Sequence, residues 1–146
     1  ELDGHVLEVP EVELELAAIL NAGDPVEHTL SRFCRHFLGM ICSPEAIALH
    51  RAVAGEAGRY PEMGRIFFER APGRTRERLA DYLARCMGAG QLRQDDCHAA
   101  ATHLIGMCLS GCHMELLVGV IDAAAPDAIA ADVDSALALF LRAYRP

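Results

Sequence analysis

The chain has 146 residues, 52% of them hydrophobic and none of them Trp: enough apolar material for one domain with a substantial core, and too little chain for two autonomous ones. Helix formers such as Ala, Leu, Glu and Arg dominate while β-branched and aromatic residues are sparse, so the expected fold class is all-α. The formal charge of −8 is unevenly laid out, since residues 1–31 hold eight acids and no Arg, a start that would repel a phosphate backbone, whereas 32–93 carry eleven Arg against six acids.

No positively charged start precedes an apolar stretch of signal-peptide form, and the first residue is Glu. No apolar run reaches the roughly 20 residues of a membrane span; the longest, from Leu116 to Ala125, contains Asp122. A soluble, cytoplasmic protein whose six cysteines are thiols is the expectation. An Ala- and Arg-rich composition without Lys points to a bacterial, GC-rich coding sequence.

Behind Pro10, Val12, Leu14, Leu16, Ile19 and Leu20 suggest a first helix that Asn21-Ala22-Gly23 ends. Asp24-Pro25 supplies an N-cap with proline at the first helical position, and Val26, Leu30, Phe33, Cys34, Phe37, Leu38 and Ile41 follow at steps of three and four. Ser43-Pro44-Glu45 repeats the start signal for a helix through Ile47, Leu49 and Val53 that fails near Gly58. Tyr60-Pro61-Glu62 opens a short helix carrying Met63, Ile66 and Phe67, ended by Ala71-Pro72-Gly73. Leu79, Tyr82, Leu83, Cys86 and Met87 mark the next, which Gly88 and Gly90 terminate with Leu92 folding back. Asp95-Asp96 caps a helix from about Cys97 to Leu117, rich in Ala, Gly, Ser and Cys, and the final helix runs through Ile129, Val133, Ala136, Leu137, Phe140, Leu141 and Tyr144. Small residues on the former and a broad apolar surface on the latter are what a subunit interface requires.

The segment Leu49-His50-Arg51, Glu56, Arg59-Tyr60-Pro61-Glu62-Met63-Gly64 and Phe67-Phe68-Glu69 resembles the C-terminal regulatory domain of TetR-family transcription repressors, most closely the AefR-like subgroup. The resemblance continues through Leu83-Ala84-Arg85, Gly90-Gln91-Leu92-Arg93, Asp95-Asp96, Ala99-Ala100 and Gly106, covering roughly residues 24–145. It implies about six to seven helices, a homodimer whose last two helices build a four-helix bundle, and an internal pocket for a small-molecule effector. Operator DNA would be bound by a helix-turn-helix head outside this sequence. Residues 1–23 then read as the remnant of a connecting helix and 24–146 as the ligand-binding and dimerisation domain. Effector binding that favours a conformation unable to span both half-sites would release DNA.

For that pocket the candidates are Phe33, Phe37 and Met40, then His50, then Met63 and Phe67, then His103 and Met107: apolar lining with imidazoles able to orient a polar group, although helical spacing alone also describes a core. For the interface they are Thr102, Ile105 and Leu109 with Val133, Leu137, Phe140 and Leu141. No cofactor is expected. Cys108 and Cys112, four apart, with His103 offer a metal or thiol-switch alternative, and a stand-alone Cys/His protein is the competing reading, yet no Cys-x-x-Cys pair occurs. A purely structural helical dimer is a third. Arg74, Arg76 and Arg78 read as a solvated face and His5, His28, His36 and His98 as solvated side chains. Asp95-Asp96 reads as a cap and Ser110 lies mid-helix without a strand-turn context, so no enzyme is expected.

Overall fold

The computed structural model describes the backbone of residues 10–146 and the side chains from Leu14 onward; His5 and the side chain of Val12 lie outside the described residues. Among the described residues every regular element is a helix: α1 (Pro10–Asn21), α2 (Val26–Ile41), α3 (Pro44–Glu56), α4 (Pro61–Arg70), α5 (Pro72–Gly88), α6 (Cys97–Leu109), α7 (Cys112–Leu117) and α8 (Pro126–Ala143). α2 runs through the middle, packed on α1, α6 and α8, while α6 also lies against α5 and α8. Leu30, Phe33 and Leu38 of α2 meet Leu79 and Leu83 of α5, Leu104 of α6 and Val133 and Phe140 of α8 in a core closed to solvent. The three-and-four spacing of α2 therefore places one whole stripe inside.

Three of the caps that the sequence sets form as expected. Ser43 Oγ accepts the Ala46 N–H at 3.2 Å, and Asp96 Oδ1 accepts those of His98 and Ala99 at 2.9 and 3.1 Å. Gly90 takes φ 75°, which lets the Gln91 and Leu92 N–H groups turn back onto the Cys86 carbonyl and buries Leu92. Asp24 is the exception. Pro25 itself holds the N-cap position of α2, so the Asp24 carboxylate, one residue too early, pairs with Arg32 at 3.6 Å and its carbonyl accepts the Thr29 hydroxyl.

Two boundaries differ from expectation. The helix expected from Cys97 to Leu117 breaks at Ser110-Gly111 into α6 and α7, which raises the number of helices among the described residues to eight. The break is held by α8: Asp132 Oδ2 accepts the Cys112 N–H at 2.8 Å, and the carboxylate lies where a Cβ at Gly111 would stand. Gly73 ends nothing, because α5 already starts at Pro72 and only Ala71 separates it from α4. Pro72 forces that one-residue corner by disfavouring helical geometry at Ala71, which takes φ −123° and ψ −83°.

Candidate functional site

A cavity of about 140 Å³ opens between five helices. α2 contributes Phe37, Met40 and Ile41; α6 contributes Ile105 and Leu109. The α4–α5 corner adds Ala71, Pro72, Thr75 and Arg76, α3 adds His50 and α7 adds His113. The corner at Ala71 and the break at Gly111 are what bring the last groups inward, since each redirects a helix over the α2–α6 groove.

The two imidazoles form the polar wall. His50 meets Phe67 edge-on, ring centroids 5.5 Å apart, and meets His113 at 5.7 Å and 66°. Burial pushes the pKa of His50 below the usual imidazole value; burial, and then the charge of His50, does the same to His113. Both rings are therefore neutral at neutral pH. His113 is 8% exposed, and its Nε2 is buried without a hydrogen-bond partner. A buried polar atom left without a partner costs on the order of 1–3 kcal/mol, which makes this nitrogen the most polar unfilled feature of the cavity wall. Arg76 Nε is also buried and lacks a hydrogen-bond partner, while its guanidinium lies 5.3 Å from the centroid of the half-exposed Phe68 ring.

Of the residues expected to line a pocket, the structure brings Phe37, Met40 and His50 to this cavity. Phe67 reaches it only through its contact with His50. Phe33 lies beneath, stacked on Phe37 at 6.3 Å and closed to solvent. Met63 is half-buried on α4 and does not line the cavity. His103 is exposed, and with Met107 it lines a shallow depression on the other side of α6. Two residues turn a helix by about 200°, so 103 and 107 point away from a cavity that 105 and 109 face.

That geometry also redistributes the expected interface residues. Ile105 and Leu109 line the cavity, and Val133, Leu137 and Phe140 are spent on the chain's own core. Thr102 is exposed, its hydroxyl donating to the His98 carbonyl at 3.0 Å, and Leu141 is half-buried. The surface that α6 and α8 leave open carries Thr102, His103, Gly106, Met107, Ser110 and Leu139 instead. Leu139 is 54% exposed on this face, beside the small residues Thr102, Gly106 and Ser110.

His113 was not singled out by sequence, and Arg76, read with Arg74 and Arg78 as a solvated face, is instead half-buried with its Nε closed to solvent in the cavity wall. For Arg76 a signal existed: it precedes Leu79 and Leu83 on one stripe of α5, whereas its neighbours Arg74 and Glu77 fall outside it. For His113 there was none, because its direction depends on the break at Gly111.

The thiols do not assemble a metal site. Cys108 faces Cys34, and hydrogen bonding between them, followed by burial, pushes the Cys34 pKa well up. Cys112 lies beyond the helix break beside Cys42 and Asp132, its pKa pushed up to about 12 by burial first and then by Asp132. His103 is on neither side of this arrangement. Among the described residues no three His, Cys, Asp or Glu side chains converge as metal ligands, so Cys108, Cys112 and His103 are separated rather than joined. Ser110 donates to the Met107 carbonyl at 2.8 Å, which engages the hydroxyl weighed for catalysis.

Residues 28–146 match the family described as AefR-like transcriptional repressor, C-terminal domain. No curated protein matches the chain. Among solved structures, one described as a TetR-family transcriptional regulator from Mesorhizobium loti MAFF303099, at 1.54 Å resolution, superposes with a TM-score of 0.87 and 21% identity, covering 97% of this chain and 72% of that one. The flavonoid-responsive regulator FrrA superposes with a TM-score of 0.75 and 27% identity, covering 93% of this chain and 74% of that one. The architecture is thus that of a TetR-type regulatory domain. The chain belongs to the AefR-like transcriptional repressor family, in its C-terminal domain.

Proposed function

We propose that this domain senses a small-molecule effector and joins two copies of a TetR-like repressor, which releases its operator when the effector binds. The observation that carries the reading is the cavity at the meeting of five helices, with the buried, unpartnered Nε2 of His113 in its wall. Membership in a family of transcriptional repressors supports regulation over catalysis. The responsiveness of FrrA to a flavonoid, at 27% identity, supports a ring-bearing effector. Residues 24–146 act as the ligand-binding and dimerisation unit and the preceding segment connects to a DNA-binding head. The cytoplasm is the working compartment, since operator DNA lies there; among the described residues no helix is long and apolar enough to cross a membrane. The open face of α6 and α8 supports pairing of copies, because small residues let helices approach closely.

The test joins sedimentation equilibrium with DNA binding by the intact regulator. A dimer whose operator affinity falls at least tenfold with an effector that raises the domain's Tm is the expected result. A domain that stays monomeric at tens of micromolar, or an effector that leaves DNA affinity unchanged, overturns it.

A further inference from the structure

The cavity has a definite chemistry beyond being apolar. Its volume of about 140 Å³ is close to that of a cavity known to admit a benzene ring, about 150 Å³. Phe37, Met40, Ile105 and Leu109 offer it apolar walls. Arg76 is the one formal charge among the lining residues, and no carboxylate lines the cavity to neutralise it. The guanidinium rests on the half-exposed Phe68, which sets it where the cavity meets the surface. Two buried nitrogens, Arg76 Nε and His113 Nε2, have no hydrogen-bond partner. His113 is more than nine-tenths buried, so water from the surface is a poor substitute for a partner held inside.

We propose that the cavity takes a compact aromatic acid, a single ring packed against the α2–α6 walls with its carboxylate received by Arg76 and His113. This rests on the effector-sensing reading and specifies its ligand class. An anion gains a charge-assisted hydrogen bond from Arg76, and one oxygen is left for the His113 nitrogen, which donates as the Nε2–H tautomer. A cation of the same shape gains neither and would face Arg76 at close range.

Calorimetric titration with benzoate, toluene and benzylamine at pH 7.5 tests this, using the 146-residue chain, Arg76→Gln and the cavity-filling Leu109→Phe, each checked for helicity by circular dichroism. Benzoate should bind at least tenfold more tightly than toluene and benzylamine not at all. Arg76→Gln should abolish the benzoate advantage while leaving toluene within twofold, and Leu109→Phe should weaken both. Toluene binding as well as benzoate, or benzoate binding unchanged in Arg76→Gln, overturns the aromatic-acid assignment and leaves the effector cavity standing. If none of the three binds the wild-type chain, the aromatic-acid assignment fails, and the effector reading is decided by the operator-release test above.

Discussion

His50 and His113, on α3 and α7, pack edge to face with ring centroids 5.7 Å apart, and both are held neutral by burial. The contact therefore couples proton uptake to the fold. Each folded-state pKa lies below the unfolded value of about 6.5, so the unfolded chain binds protons first. The neutral pair carries no penalty above that value, and stability falls as pH drops below it, by up to about 1.4 kcal/mol per pH unit for each proton. Thermal melts between pH 8 and 5 should show a falling Tm below pH 6.5, with a shallower slope in His113→Asn. An unchanged slope would place the titration elsewhere.

The α6–α7 break depends on one carboxylate. Asp132→Ala should cost about 1 kcal/mol in urea unfolding, the size of a lost N-terminal cap. Gly111→Ala should cost about 1–3 kcal/mol, because its Cβ needs the space that Asp132 occupies. In a double-mutant cycle the second cost should shrink once Asp132 is gone. Full additivity would mean that Gly111 is required for a reason unrelated to this contact.

Charges placed on α8 should separate two roles. If two copies pair through the open face as proposed, Leu139→Asp should leave the chain monomeric in sedimentation with helicity retained. Leu137→Asp, 5% exposed inside the chain, should instead unfold it, since an unpaired buried carboxylate costs several kcal/mol. A dimer that survives Leu139→Asp together with Gly106→Arg would move the interface off this face.

Thiol modification should be strongly graded. Cys97 is the one cysteine of the six that is not buried. It should react with a thiol reagent at least tenfold faster than Cys34, Cys42, Cys86, Cys108 and Cys112, all of which need local opening first. Cys34 and Cys86 also have pKa values raised above the thiol norm. Rapid loss of Cys34 or Cys108 in the native protein would contradict the packing of α2 against α6.

The helices were largely legible because their signals are local. Ser43, Asp96 and Gly90 each act on backbone groups within a few residues, and the α2 stripe needs only a 3.6-residue period. The site was legible in part. Phe37, Met40 and His50 could be proposed from type and spacing, but nothing in that spacing distinguishes the face of α6 that meets a cavity from the face that meets solvent. His103 and Met107 lie on the face turned away from this cavity.

The sequence by itself determined an all-helical chain, most of its caps and a family resemblance, since these depend on short-range hydrogen bonding and on the order of helix starts. Only the tertiary structure decided that Arg76 and His113 share a cavity and that Leu137 and Phe140 belong to the interior. Those facts hang on Asp132 meeting Gly111 across 21 residues and on the one-residue corner at Ala71. A side chain's direction after such a break is set by whichever distant helix holds the break in place, and that helix is chosen by packing rather than by local sequence.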